Sequence, residues 1–268
     1  MSASITAKPP APYLGGKRNL ARRLCAMIAA TPHRVYIEPC VGMGGVFLRR
    51  PRPAPVEIIN DAAGDVANLF RVIRRHYEPF VDELRWLIAG RAEFDRQRAL
   101  DPRLLTDIER AVRFLYLQRL AFGGKVAGRT FGVRRDQDSR FNLAQLRAEL
   151  KALRDRLATV TIEQLDIADV IRRYDGPRAL FFIDPPYHLT EGYGLDFGEE
   201  RYTALADQLA GIAGQFILSI NDTPFIRRTF SRFRVDEVAT TWTVSSVAAH
   251  RATKVTELIF RSPPALTG

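Results

Sequence analysis

Short apolar runs alternate with longer amphipathic stretches at both ends of this chain. Val35 to Ile37 and Val56 to Ile59 read as strands, and Lys17 to Ala30 (stopped by Pro32) and Asp65 to His76 as helices. The rhythm returns with strand signals at Val160 to Ile162, Leu180 to Ile183 and Phe216 to Ile220. Helical patterns at about Glu200 to Ala213 and Pro224 to Phe230 follow the last two. Phe233 to Val238, Thr241 to Val244 and Val255 to Phe260 close the chain as strands. Leu180 to Ile183 is apolar at every position, as a strand covered on both faces of a parallel sheet must be.

Between Pro79 and Leu157 the alternation lapses into helical pattern. Thr106-Asp107-Ile108-Glu109 is a capping-box sequence, opening a helix with Ile108, Ala111, Val112 and Leu115 on one face. Asn142 is placed to cap the next, which carries Leu143, Leu146, Leu150, Leu153 and Leu157 as core. The pattern therefore predicts an α/β protein with a doubly wound sheet. Residues 1–76 and 158–268 would form the sheet domain, and 77–157 a helical insertion.

Composition changes this picture in one respect. The chain of 268 residues carries a net charge of +10, which favours a polyanionic partner. Between Arg71 and Arg156 lie 20 Lys plus Arg against 12 Asp plus Glu, so +8 of the excess falls in that stretch. Only five of the 40 cations are lysines, and an arginine bias also follows from genome composition. No apolar run reaches the eighteen or so residues of a membrane helix, and no secretory signal opens the chain. Cys25 and Cys40 form neither a disulfide framework nor a metal pattern, and His33, His76, His188 and His250 lack ligand spacing. A reducing cytoplasm is the expected setting, with no metal.

The most informative chemistry lies at Asp184-Pro185-Pro186-Tyr187, directly after the apolar strand. Two prolines stop the strand, and the first holds Asp184 extended. The C-terminal end of such a strand is where open α/β sheets bind ligands. The group suits attack by an exocyclic amine, whose lone pair is delocalised into its ring. Asp184 can accept one N–H and the Pro185 carbonyl the other, stabilising the positive charge that develops on nitrogen. Tyr187 can stack on a flat substrate. The plainer alternative is an ordinary strand-ending turn.

A second element follows the first strand. Glu38-Pro39-Cys40-Val41-Gly42-Met43-Gly44-Gly45 places two glycines where backbone can approach a nucleotide-like cofactor, or where a turn needs punctuation. Asp61 ends the next strand, at a distance along the chain that suits a carboxylate accepting from ribose hydroxyls. Nothing in the segment argues for a pyrophosphate.

Taken in order, these blocks resemble the Dam-type (D12 class) N6-adenine DNA methyltransferases, which use S-adenosylmethionine. Tyr13-Leu14-Gly15-Gly16-Lys17 is similar to the family's aromatic-x-Gly-Gly-Lys, and the Glu38 to Phe47 segment to its Glu-Pro-Phe-x-Gly-x-Gly block. Ile59-Asn60-Asp61 resembles its ribose-binding strand end, and Asp184 to Tyr187 its catalytic tetrapeptide. Ser219-Ile220-Asn221-Asp222 and Thr253 to Ile259 resemble later blocks. The resemblance implies a Rossmann-like methyltransferase sheet. It also implies a cofactor site lined by Tyr13, Lys17, Glu38, Cys40, Gly42, Gly44, Asp61 and Asp184, with Asp166 on the cofactor's adenine amine. Asp169 is an alternative to Asp166. Cys40 departs from the family's Phe, which loosens packing expected against the cofactor's methionine part.

The resemblance further implies adenine flipped from duplex DNA and held against Tyr187. Lys125, Arg129, Arg134, Arg135 and Arg140 form a glycine-containing cationic segment suited to phosphate contact, with a solvated loop as the bland alternative. A monomer, bacterial or phage-encoded, is expected. N4-cytosine methylation uses the same tetrapeptide type, and a non-catalytic DNA-binding protein with this fold is the alternative from another class. Glutamine methylation uses Asn where this chain has Asp184, and the basic insertion also argues against it.

Overall fold

The computed structural model describes residues 7–13, 15–17, 19–132, 139–190, 197–242 and 253–262. Helix α1 (Ala21–Ala30) precedes strand β1 (Val35–Glu38), and β2 (Val56–Asn60) leads into α2 (Gly64–Arg75). Helices α3 (Tyr77–Leu84), α4 (Arg91–Ala99), α5 (Asp107–Leu120) and α6 (Leu143–Arg156) follow. The sheet resumes with β3 (Thr161–Glu163), α7 (Ile167–Tyr174), β4 (Ala179–Ile183), α8 (Glu199–Ala210), β5 (Gln215–Asn221) and α9 (Pro224–Thr229). Strands β6 (Arg234–Trp242) and β7 (Thr253–Arg261) complete it.

Seven strands run in the order β3-β2-β1-β4-β5-β7-β6. The first five pair in parallel, while β7 is antiparallel to both β5 and β6. Chain order reverses between β1 and β4, which opens the crevice where such sheets take ligands. Because β7 runs backwards, its first residues lie at the edge where the parallel strands end, and Glu257 sits opposite Asn221. That register places an acid beside the loop that follows β4.

Side-chain alternation divides the sheet between two cores. Tyr36, Leu180, Phe182 and Ile217 face a cluster shared with α1, α2 and the helices from α3 to α6. Ile37, Phe181, Ile183 and Leu218 face α7, α8 and α9. Leu146, Leu150 and Leu153 of α6 are fully buried in the first cluster, each contributing about 1.5–3 kcal/mol as an upper bound. Apolar packing on that face is continuous from the sheet through α2 into α5 and α6.

The capping box forms as expected: Glu109 donates its N–H to Thr106 Oγ1 at 3.3 Å and accepts from the Thr106 N–H at 2.8 Å. Asn142 caps α6 by accepting from the Gln145 N–H.

Three details differ from expectation. Helix α1 begins at Ala21 rather than Lys17, since Leu20 supplies no side-chain cap and Lys17 is turned into the protein. The last expected pair of strands before β7 is one strand through Trp242, because Ala239 and Thr240 keep pairing with Thr256 and Val255. Helix α7 is an addition to the expected elements. Its signals are modest: Asp166 accepts from the Ala168 N–H, and Ile167, Val170 and Ile171 make a short apolar stripe. No helix among the described residues is long and apolar enough to cross a membrane.

Candidate active site

The turn after β1 depends on glycine. Gly42 and Gly44 have φ of 50° and 74°, in the left-handed region that glycine enters without penalty. A Cβ at Gly42 would come within 3.0 Å of the Tyr13 ring, so the aromatic side chain lies directly on the turn. Gly44 packs instead toward Leu48 and Phe70, and does not line the cleft described below. Asp61 ties this turn to the end of β2: its two oxygens accept from the N–H groups of Gly42 and Ala63, each at 2.9 Å. Burial still pushes the Asp61 carboxyl up to about 6, against those two donors.

Across the switch point, Asp184 stands at the end of β4 beside Lys17, with Nζ 2.6 Å from Oδ1. The contact is a close ion pair, and that oxygen has no hydrogen-bond donor other than this ammonium among the described residues. Lys17 also lies 3.0 Å from Glu257 Oε1 and donates to the Tyr187 hydroxyl. That hydroxyl donates in turn to Glu257, as does Ser219 at 2.7 Å. Two carboxylates thus share one ammonium. Burial, reinforced by Glu257, raises Asp184 to about 7 although Lys17 works in the opposite direction. Burial alone would pull Lys17 down, but the two acids hold it above its ordinary value.

The tetrapeptide backbone is fixed from three sides. Tyr202 donates its hydroxyl to the Pro186 carbonyl. The Asn221 amide brackets His188, accepting from its N–H at 3.0 Å and donating to its carbonyl at 2.9 Å. Thr223 meets the His188 ring at 3.0 Å. The Pro185 carbonyl receives no hydrogen bond from a described residue.

Tyr13, Lys17, Glu38, Cys40, Gly42, Asp61 and the whole tetrapeptide line one cleft of about 1180 Å³. Its floor is acidic. Glu38, accepting from the Tyr36 hydroxyl at 2.9 Å, is pushed up to about 8, chiefly by burial. Its rim is cationic, with Lys8, Arg49, Arg119, Lys125, Arg140 and Arg201.

Sequence resemblance settles whose cleft this is: the sequence model of the D12 class N6 adenine-specific DNA methyltransferases matches residues 13–244. The chain belongs to that family. A type II methyltransferase of Lactococcus lactis subsp. cremoris is 21% identical, with 95% of each chain covered. A DNA adenine methylase of Haemophilus influenzae is 24% identical over 94% of this chain and 92% of its own. The methyltransferase uses S-adenosylmethionine, and its acceptor is adenine in DNA. Adenine is thereby chosen over cytosine among the amines open to the tetrapeptide.

The residues present fit a cationic, nucleoside-like cofactor. A glycine at positive φ faces the cleft beneath an aromatic ring, and the buried carboxyls of Glu38, Asp61 and Glu257, the half-buried one of Asp184 and the buried Lys17 line it.

Some anticipated residues stand elsewhere. Asp166 caps α7 and pairs with Arg201, and Arg201 rather than Asp166 lines the methyltransferase's cleft. Arg129 is drawn inward, donating to Gln118 Oε1 at 3.1 Å with its guanidinium over the Phe114 ring, and burial lowers it to about 10. Lys125 and Arg140 reach the rim. Arg134 and Arg135 lie outside the described residues.

Sequence reading gave Glu257 and Ser219 no role, although both sit in blocks that resemble the family. The available signal was a lone acid at the head of the apolar run Leu258-Ile259-Phe260. Such an acid needs a buried partner.

Proposed function

We propose that this cleft methylates N6 of an adenine flipped out of duplex DNA at a particular sequence, with Asp184 and Pro185 as the acceptors of the amine. One observation carries the reading: the Asp184 Oδ1 with no donor but the Lys17 ammonium and the Pro185 carbonyl with none lie next to each other in the chain at the cleft. A buried carbonyl is normally satisfied, so one left open beside a carboxylate that holds only an exchangeable ammonium points to a ligand that fills both.

S-adenosylmethionine, when bound, supplies an electrophilic methyl group on a sulfonium. Asp61 would hold its ribose, with the Gly42 turn and Tyr13 beneath it and Arg201, held by Asp166, toward its adenine. Glu38 and Cys40 line the space between these and Asp184. Asp184 and the Pro185 carbonyl orient the target amine and stabilise the positive charge growing on its nitrogen. A carboxyl raised to about 7 is also matched to take the proton that this nitrogen must shed. Tyr187 forms the wall against the flipped base, its hydroxyl held by Glu257.

The cationic rim, with Lys125 and Arg140, belongs in this reading to the phosphate-contacting surface. The helical segment from 77 to 157 is assigned to target recognition. The enzyme would act as a monomer, in the cytoplasm.

The test follows methyl label from S-adenosylmethionine into duplex DNA. The wild type is expected to yield labelled N6-methyladenine at one recurring sequence. Asp184→Asn is expected to yield none while calorimetry shows the cofactor still bound. Comparable transfer by Asp184→Asn would remove the acceptor role from this residue.

A further inference from the structure

The residues that follow the tetrapeptide contain a backbone irregularity with no structural explanation of its own. Leu189 has φ of 59° and is the only described non-glycine residue with positive φ. The Thr190 N–H donates to the Tyr187 carbonyl at 3.1 Å, which closes a four-residue turn with Leu189 at its third position. A turn of this kind ordinarily places glycine there, because a branched side chain crowds its own backbone. Leu189 is also 85% exposed, the highest value among the exposed large apolar residues described.

A single exposed leucine needs no explanation, and neither does one strained residue. Their coincidence at this place does. Tyr187 and Thr190 both line the cleft, and the exposed Leu189 stands between them in the chain. The Asn221 bracket on His188 and the Thr223 contact hold the turn against relaxation. His188 is itself packed by Tyr202 and Phe225, with ring centroids at 5.8 and 4.9 Å. A rigid mount therefore presents one bare apolar side chain beside the site of the target base. Strain maintained in this way by its surroundings marks functional positions.

We propose that Leu189 is the wedge that enters the duplex as the target adenine leaves it. The inference rests on the flipping reading above. Flipping opens a gap in the base stack, and proteins that unstack DNA fill such gaps with leucine, phenylalanine or similar side chains. An exposed leucine on a fixed turn fills the gap without first being ordered, so its contribution goes to holding the base out rather than to binding the cofactor.

The experiment compares two duplexes carrying the sequence that the enzyme methylates in expressing cells. In one the target adenine is paired. In the other it faces an abasic site, where extrusion is easier and a wedge matters less. Leu189→Ala and Leu189→Gly are expected to slow single-turnover methylation of the paired target about tenfold and of the unpaired target less than about twofold. Leu189→Met should retain the paired rate within about threefold, since its side chain is also apolar and long. The glycine variant should melt at or above the wild-type temperature, because glycine relieves the strained φ.

Equal slowing on both duplexes, or none on either, would overturn the wedge. So would a glycine variant that melts well below wild type, which would show the side chain serving the fold. A 2-aminopurine at the target position separates this failure from that of the parent reading. If its fluorescence fails to rise even with the wild type, flipping itself is excluded and the wedge with it. If it rises equally with wild type and Leu189→Ala, only the wedge is lost.

Discussion

Two buried ion clusters occupy opposite edges of the same sheet, and their stoichiometries are inverted. Near the start of β2, Glu57 is shared by two arginines: Oε1 accepts from Arg50 at 2.8 Å and Arg156 at 2.9 Å, and Oε2 from Arg156 at 2.6 Å. The Ala54 N–H adds a further donor at 3.3 Å. Arg50 lies over the Tyr36 ring and Arg156 over that of Phe47. Both oxygens of this acid are engaged. At the other edge, Asp184 and Glu257 divide one ammonium, and an Asp184 oxygen is left with no other donor. The difference separates a structural ion cluster from the one proposed to be catalytic. Satisfied charge holds a fold together, whereas an acceptor left over in a cleft is held ready for something that arrives.

The sharpest way to break this comparison is to remove one acid from each cluster. Glu57→Ala leaves two buried guanidinium groups uncompensated, and should destabilise the fold by about 3–5 kcal/mol while the folded fraction keeps its methylation rate. Asp184→Ala should do the reverse, costing about 2–4 kcal/mol in transition-state stabilisation with little loss in melting temperature. Its effect on stability should depend on pH in a defined sense. Asp184 holds its proton up to about 7 when folded and to about 3.9 when unfolded, so its ionisation lowers stability as pH rises between those values. The variant should therefore compare more favourably with wild type at pH 8 than at pH 5, as differential scanning calorimetry would show. Equal loss of stability in the two variants would mean that the clusters do not differ in kind.

Much of this contrast was legible in the sequence, though unevenly. Leu180 to Ile183 predicted a central strand, and Asp184-Pro185 the acceptors at its end, because apolar runs and prolines act locally. The Gly42 turn and Asp61 were legible for the same reason, each lying at a strand end. Glu257 was not, since its meaning comes from an antiparallel register that sets it opposite Asn221, far away along the chain. The Glu57 cluster was hidden likewise: Arg156 comes from the end of α6, 99 residues away. Arg129 shows the converse error, where composition suggested a free cation and packing on Phe114 and Gln118 turned it inward.

A smaller effect sharpens the catalytic side. Glu257 offers Lys17 a second seat 3.0 Å away, so the ammonium can leave Asp184 as the target amine arrives. In the proposed role only ionised Asp184 accepts that amine, so the methylation rate should rise with pH through about 7 in the wild type. Glu257→Gln removes a neighbouring negative charge and leaves Lys17 wholly to Asp184, and both changes favour the ionised form. The rising limb should move to lower pH while the plateau rate falls. A lower plateau with an unmoved limb would reduce Glu257 to a packing role.

The smallest expected effect concerns the cations at the rim rather than the acids at the floor. Lys125 is exposed, and it lines the cleft mouth with Arg140, whereas Arg129 is held by Gln118 and Phe114. Position separates them: the first pair stands at the cleft and should serve the ligand, whereas the third residue packs inward and should serve the fold. Replacing Lys125 and Arg140 with alanine should flatten the salt dependence of DNA binding by about 0.9 in log–log slope for each phosphate that is no longer neutralised. Cofactor affinity should not change, because the Gly42 turn and Asp61 come from other segments. Arg129→Ala should leave the slope alone and lower the melting temperature, since Gln118, which also donates to the carbonyls of Pro12 and Gly124 beside Tyr13, loses a partner. Fluorescence anisotropy across a salt series separates the two classes. A slope that changes with Arg129 and not with Lys125 and Arg140 would show that the inward arginine turns out to meet DNA, and that burial in the free protein is a poor guide to function at this edge.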